Sequence, residues 1–263
     1  MRYKLFPSQT DLTHMNIYKH SLLLFTLLIS TFVSAGQTQV AVASNFYEPM
    51  LQLATAFEKE TGNKVLISAG ATGALYAQIK NGAPFDVFFA ADQRRPGALL
   101  KEGNAIKGSR FTYAQGRLAL WSKQLGYNSE ADFKKSLARL DHLAVANPKN
   151  APYGAAAIDV LKKINVYQKI KTKIVEGQNI GQTYQYVSTQ NVIAGFVSLS
   201  QVYRNGQIIE GSAWIIPSAL HRPLNQDALL LLHGKNNKTA ISFLAFLHSN
   251  AAQAIIRSFG YHI

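Results

Sequence analysis

The sequence predicts an α/β protein of two doubly wound lobes joined by a double-crossover hinge. Three observations carry this. Short apolar strand-like runs alternate with amphipathic helix-like runs, the pattern of parallel sheets covered by helices. The alternation passes through two cycles, one on each side of the apolar segment Arg117–Ser122. A last strand and helix, Ala228–His233 and Thr239–Phe259, follow long after the second cycle has ended. The simplest packing returns them to the first unit, so the chain crosses between lobes twice. Two connections make a hinge, and a hinge makes a cleft. The expected division is 1–36 as a signal peptide, 37–118 with 228–263 as the first lobe, and 119–227 as the second.

In chain order, Ser21–Val33 is a short apolar run preceded by Lys19 and followed by Val33-Ser34-Ala35, a small-residue cleavage pattern. That combination reads as a secretory signal cut near Ala35, with Met15 as an alternative start. Gln39–Ala43 is the first strand, and Tyr47–Thr61 a helix with Met50, Leu51, Leu53, Ala54 and Phe57 at helical spacing. Lys64–Ser68 is a strand, Ala74–Asn81 a short helix stopped by Gly82 and Pro84, and Phe85–Ala90 a third strand. The second cycle has a helix at Glu130–Leu137, a strand at His142–Ala146 and a helix at Tyr153–Ile164. Strands at Lys173–Glu176 and Ala194–Ser198 flank a helix at Gln182–Thr189, and Trp214–Pro217 is a further strand.

Four of these strands end in small or polar residues where a helix begins. The places are Ala43-Ser44-Asn45, Gly70-Ala71-Thr72-Gly73, Ala151-Pro152-Tyr153-Gly154 and Gln178-Asn179-Ile180-Gly181. None carries a charge. Helix N-termini offer free N–H groups and a partial positive charge, so they attract anions. In open α/β sheets ligands bind beyond the carboxyl ends of the strands. If the four loops converge, two from each lobe, they make a pocket for a dehydrated oxyanion held by neutral donors. The alternative reading of Ser44, Asn45 and Thr72 is that they cap their helices, worth about 1 kcal/mol each.

Composition narrows the function further. There is no cysteine, which excludes disulfides, thiolate metal sites, a cysteine nucleophile and an N-terminal lipid-bearing cysteine. The net charge is +13, and without the first 36 residues 24 basic and 13 acidic side chains remain. The basic residues are scattered as singles and pairs with no stripe interleaved with aromatics, so nucleic acid is not an expected partner. The seven histidines are dispersed, with no His-Glu-x-x-His pair and no Gly-x-Ser-x-Gly elbow. An enzyme is therefore not expected. Asp86 and Asp92 read as structural carboxylates that bond backbone near the third strand.

The runs Ala43-Ser44-Asn45-Phe46, Leu75-Tyr76-Ala77-Gln78-Ile79, Gly82-Ala83-Pro84-Phe85-Asp86-Val87, Ala91-Asp92-Gln93 and Asn147–Gly154 resemble those of the periplasmic molybdate-binding proteins of ABC importers. The resemblance covers essentially the whole chain after the signal segment. It implies the type II periplasmic-binding-protein fold, closed over one molybdate or tungstate. By the same resemblance Ser44 and Asn45 contact the anion from the first loop and Thr72 from the second. Tyr153 and Ile180 match positions that donate backbone N–H groups. Some members carry a tyrosine at the position of Ser198 whose hydroxyl reaches the anion. Ser198 is shorter and is not counted among the ligands. No cofactor, and no metal beyond the bound oxyanion, is implied. The implied partner is the membrane permease of an ABC importer, the implied location the periplasm, and the implied state a monomer. A fully deprotonated tetrahedral dianion only accepts hydrogen bonds, which suits loops without Asp or Glu. The competing readings are a receptor for another small oxyanion such as sulfate or phosphate, and an exported enzyme using the same cleft.

Overall fold

A computed structural model describes residues 35–263, so the expected signal segment lies outside the described residues except for Ala35 and Gly36. The first half of the chain runs β1 (Gln37–Ala43), α1 (Tyr47–Thr61), β2 (Lys64–Gly70), α2 (Thr72–Lys80), β3 (Val87–Phe89), α3 (Arg94–Lys101), β4 (Phe111–Gln115) and β5 (Leu118–Ser122). It continues through α4 (Glu130–Ser136), β6 (Leu143–Ala146), α5 (Pro152–Lys163), α6 (Tyr167–Ile170), β7 (Ile174–Gly177), α7 (Ile180–Ser188) and β8 (Gly195–Ser198). The rest is α8 (Leu199–Val202), β9 (Tyr203–Arg204), β10 (Gln207–Ile208), β11 (Ser212–Ile215), β12 (Asn225–Leu230), α9 (Lys238–Phe246) and α10 (Asn250–Ser258).

Two five-stranded sheets form, one per lobe. The first has the order β2-β1-β3-β12-β4 and the second β11-β5-β8-β6-β7. Along β1, Val40 and Val42 enter the core on one face of the first sheet while Ala41 enters the core on the other. β5 divides in the same way, Leu118 and Leu120 against Ala119 and Trp121. This period of two is what a strand covered on both faces requires.

The sheets are not all parallel, contrary to the simple reading of strand–helix alternation. β1 pairs parallel with β2 and β3, and β6 parallel with β7 and β8. β12 is antiparallel to β3 and β4, and β5 to β8 and β11. The reason is geometric. The parallel strands of each lobe end at the cleft. A chain that leaves one lobe there enters the other from its cleft end, so its first strand must run the opposite way. The crossings lie at Gly116–Arg117 and between β11 and β12. The expected boundary at 227/228 falls inside β12, and the one at 118/119 inside β5.

Helix ends follow local chemistry. α1 stops at Gly62, whose φ of 72° is open to glycine and whose N–H bonds the Glu58 carbonyl at 2.8 Å. The expected single helix Thr239–Phe259 is two helices bent by 66°. Ser249 breaks it, because its hydroxyl accepts the Ala252 N–H and starts α10 afresh.

Candidate functional site

The four loops follow β1, β2, β6 and β7, adjacent parallel strands in each sheet. Their ends meet at a small void between the lobes. Ser44, Asn45, Thr72, Tyr153 and Ile180 all line it, together with Gly70, Pro152 and alanines 43, 71, 91 and 151. No ionisable carboxylate, amine, guanidinium or imidazole is among the lining residues. The structure thus brings together all five residues singled out from the sequence.

Capping does not account for these loops. The turn Ser44–Phe46, α2 and α5 all start without a side-chain cap, from extended alanines at positions 43, 71 and 151. Of the helix starts at the four loops, only that of α7 is capped, by Asn179, whose Oδ1 accepts the Gln182 N–H at 3.0 Å. First-turn N–H groups have no acceptor within their own helix. Some find one elsewhere: Gly73 bonds the Asn150 carbonyl, and Gly181 bonds Ser44 Oγ at 3.4 Å. The N–H groups of Asn45, Thr72, Tyr153 and Ile180 meet no acceptor among the described residues. They are left free at the edge of one void.

Side chains complete the lining. Thr72 is buried, and its Oγ1 accepts the Ala91 N–H at 3.1 Å. That bond takes a lone pair and leaves the hydroxyl proton to donate elsewhere. Ser44 Oγ donates to Asn179 Oδ1 at 3.2 Å, across the cleft. The Asn45 amide is differently engaged, since its two N–H groups go to Gln226 Oε1 at 2.8 Å and the Tyr261 hydroxyl at 2.9 Å. The donor that Asn45 retains without a partner among the described residues is its backbone N–H.

Behind the void lies a buried polar network that the sequence did not reveal. Gln226 Oε1 also accepts the Tyr113 hydroxyl at 2.9 Å, and its Nε2 donates to the Tyr153 hydroxyl at 3.2 Å. Ser200 Oγ donates to the Asn45 carbonyl at 2.7 Å. Ser198 does not line the void; its hydroxyl pairs with that of Ser200 at 2.8 Å. Burial pushes the Tyr113, Tyr153 and Tyr261 hydroxyls above their ordinary range, so all three stay neutral. Gly116 makes room for this network at the hinge: a Cβ there would lie 2.0 Å from the Tyr153 hydroxyl. Gln226 and Tyr261 are 181 and 216 residues from Asn45, and neither belongs to a motif.

The two conspicuous carboxylates are structural. Asp86 Oδ2 accepts the Gln39 N–H at 2.8 Å and Asn237 Nδ2 at 2.9 Å, while its Oδ1 faces His233 Nδ1. Asp92 holds the backbone N–H and guanidinium of Arg95. Among the described residues no group of His, Asp or Glu is placed to hold a metal ion.

Two α/β lobes, two crossings and an interlobe void lined by helix starts define a type II periplasmic-binding-protein fold. Comparison with known proteins agrees. The chain belongs to the bacterial extracellular solute-binding protein family, whose model matches residues 38–262. It is 47% identical to the molybdate-binding protein ModA of Azotobacter vinelandii, over 89% of this chain and 93% of that one. Identity to the molybdate-binding protein ModA of Rhodobacter capsulatus is 43%, over 87% and 89%. The solved structure of the Azotobacter vinelandii periplasmic molybdate-binding protein superposes with a TM-score of 0.81 at 38% identity, covering 86% of this chain and 99% of that one.

Proposed function

We infer that this protein captures molybdate, and tungstate with it, in the interlobe void and delivers the anion to the membrane permease of an ABC importer. The observation that carries the reading is the set of three uncapped helix starts around one uncharged void. Leaving a helix start uncapped costs about 1 kcal/mol. That is borne three times at one place, which suits a site whose missing acceptor is the ligand. Four backbone N–H groups and the Thr72 hydroxyl supply donors only. A tetrahedral dianion without a proton accepts from all of them. Hydrogen phosphate, which must also donate, finds no carboxylate in the lining. Sulfate has the same charge and valence as molybdate, so it is refused by size alone. Relatives named for molybdate binding support the same assignment.

Capture follows from the hinge. Each lobe holds two of the four N–H donors, with the Thr72 hydroxyl added on the first, and only the closed form presents them all to one anion. An anion that bonds both halves favours the closed state by that difference in contacts. No bond in the anion is made or broken, so the protein acts as a monomeric receptor working in the periplasm and not as an enzyme.

The test is calorimetric titration with molybdate, tungstate, sulfate and phosphate in turn. One-to-one binding of the first two, with sulfate at least about a hundredfold weaker and phosphate absent, is expected. Phosphate binding as tight as molybdate would overturn the neutral-donor site.

A further inference from the structure

We propose that Arg95 is a positioning residue that sets how slowly the anion is released, by clasping the two lobes together beside the void. The proposal rests on the anion-capture reading above. Arg95 belongs to α3 of the first lobe and is 7% exposed. Asp92, on the same lobe, holds its backbone N–H and its Nη1. The remaining arm crosses the cleft: Nη2 donates to the Lys149 carbonyl at 2.9 Å. The next carbonyl, Asn150, accepts the Gly73 N–H at 2.9 Å, also from the first lobe.

These two consecutive carbonyls lead directly into Ala151-Pro152-Tyr153, the loop that presents the Tyr153 N–H to the void. Their loop is braced on its own lobe, with the Lys149 N–H bonded to Asn147 Oδ1 at 3.0 Å and Asn147 Nδ2 bonded to Glu176 at 3.0 Å. The guanidinium therefore grips a fixed target. Asp92 keeps the side chain aimed whether the lobes are open or closed. The charge-assisted bond to Lys149 exists only when they are closed.

An interaction made in one state alone shifts the population toward that state. The open form, which the anion first meets, lacks the clasp. Losing it should leave capture unchanged and speed release, since changes at an interface fall mainly on the off-rate. Gly73 offers a second handle on the same contact. A Cβ at Gly73 would lie 3.0 Å from Asn150 Cα and 3.1 Å from the Asn150 carbonyl oxygen, both across the cleft, and 2.8 Å from Arg95 Nη2. Gly73 sits inside α2, where alanine is a better helix former. The Asn150 contacts resist the substitution only in the closed form, whereas the end of the Arg95 side chain must shift to admit it in either form.

The experiment is stopped-flow measurement of molybdate capture and release by the parent, Arg95→Leu, Arg95→Lys and Gly73→Ala, with spin-label distances between the lobes in the absence of anion. Arg95→Leu should release molybdate roughly tenfold faster with the capture rate unchanged. Arg95→Lys should recover part of the loss, and Gly73→Ala should reproduce the same split. Both Arg95→Leu and Gly73→Ala should move the label distances toward the open form. Release rates within about twofold of the parent, or a loss confined to capture, would overturn the clasp. If Arg95→Leu fails to fold, Gly73→Ala decides by the same criteria. A parent that ignores molybdate would contradict the anion reading instead, and the label distances would still judge the clasp.

Discussion

In the proposed site, Thr72 is the residue whose side chain would bear most directly on the anion. A lone pair of its hydroxyl is taken by the Ala91 N–H, which leaves the proton available to donate. Thr72→Ala removes that charge-assisted bond and should weaken molybdate binding by about 1–3 kcal/mol, with Thr72→Ser close to the parent by calorimetry. Tyr153 behaves in the opposite way. Its hydroxyl serves Gln226, and the group it offers the void is its N–H. Tyr153→Phe should therefore cost about 1 kcal/mol of folding stability in urea while leaving molybdate affinity within about threefold of the parent. A large loss of affinity would place the hydroxyl itself in the site. The strand-to-helix junctions were legible in the sequence, and the family resemblance singled out these two residues, which stand in the first turns of α2 and α5. Gln226, Tyr261 and Ser200 were not. They reach Asn45 from distant parts of the chain: the return of β12 and the C-terminus to the first lobe brings Gln226 and Tyr261, and Ser200 reaches across from the second lobe.

At the scale of elements, the free helix starts are the working parts of the proposed site, and they contrast with α7. Asn179 caps α7 in the ordinary way and also accepts Ser44 Oγ across the cleft. Asn179→Ala should lower stability by about 1 kcal/mol in urea and also weaken molybdate binding, because one atom serves both bonds. Loss of stability with unchanged affinity would leave Asn179 as a cap alone. Alternating strands and helices were readable because both periods are strong in an apolar chain. Strand direction was not. Nothing in the residues of β5 or β12 marks them as antiparallel; their direction follows from where the chain crosses the cleft. The break between α9 and α10 was hidden too, because the apolar face continues through it and Ser249 is a single residue.

For the whole molecule, the absence of ionisable carboxylates and bases in the lining predicts that molybdate affinity changes little from about pH 6 to about 9, where the ordinary ranges of those groups other than His are not crossed. Folding stability should behave differently at the alkaline end. The buried Tyr113, Tyr153 and Tyr261 hydroxyls are raised by burial, while an unfolded chain ionises its tyrosines near about pH 10. A raised folded value means their contribution is fully present below about pH 10 and is lost as the pH climbs beyond it. Urea unfolding at stepped pH should show the midpoint falling there; a flat midpoint would mean that the hydroxyls ionise as freely in the folded protein. The scattered positive charge of the chain favours the approach of any anion and so does not choose among them. Choice belongs to the void. The most direct test of that claim is the anomalous signal of tungsten in crystals grown with tungstate. The account predicts one peak between the lobes, with anion oxygens in hydrogen-bond reach of Thr72 Oγ1 and the N–H groups of Tyr153 and Ile180. A peak elsewhere on the basic surface, with the void empty, would contradict it.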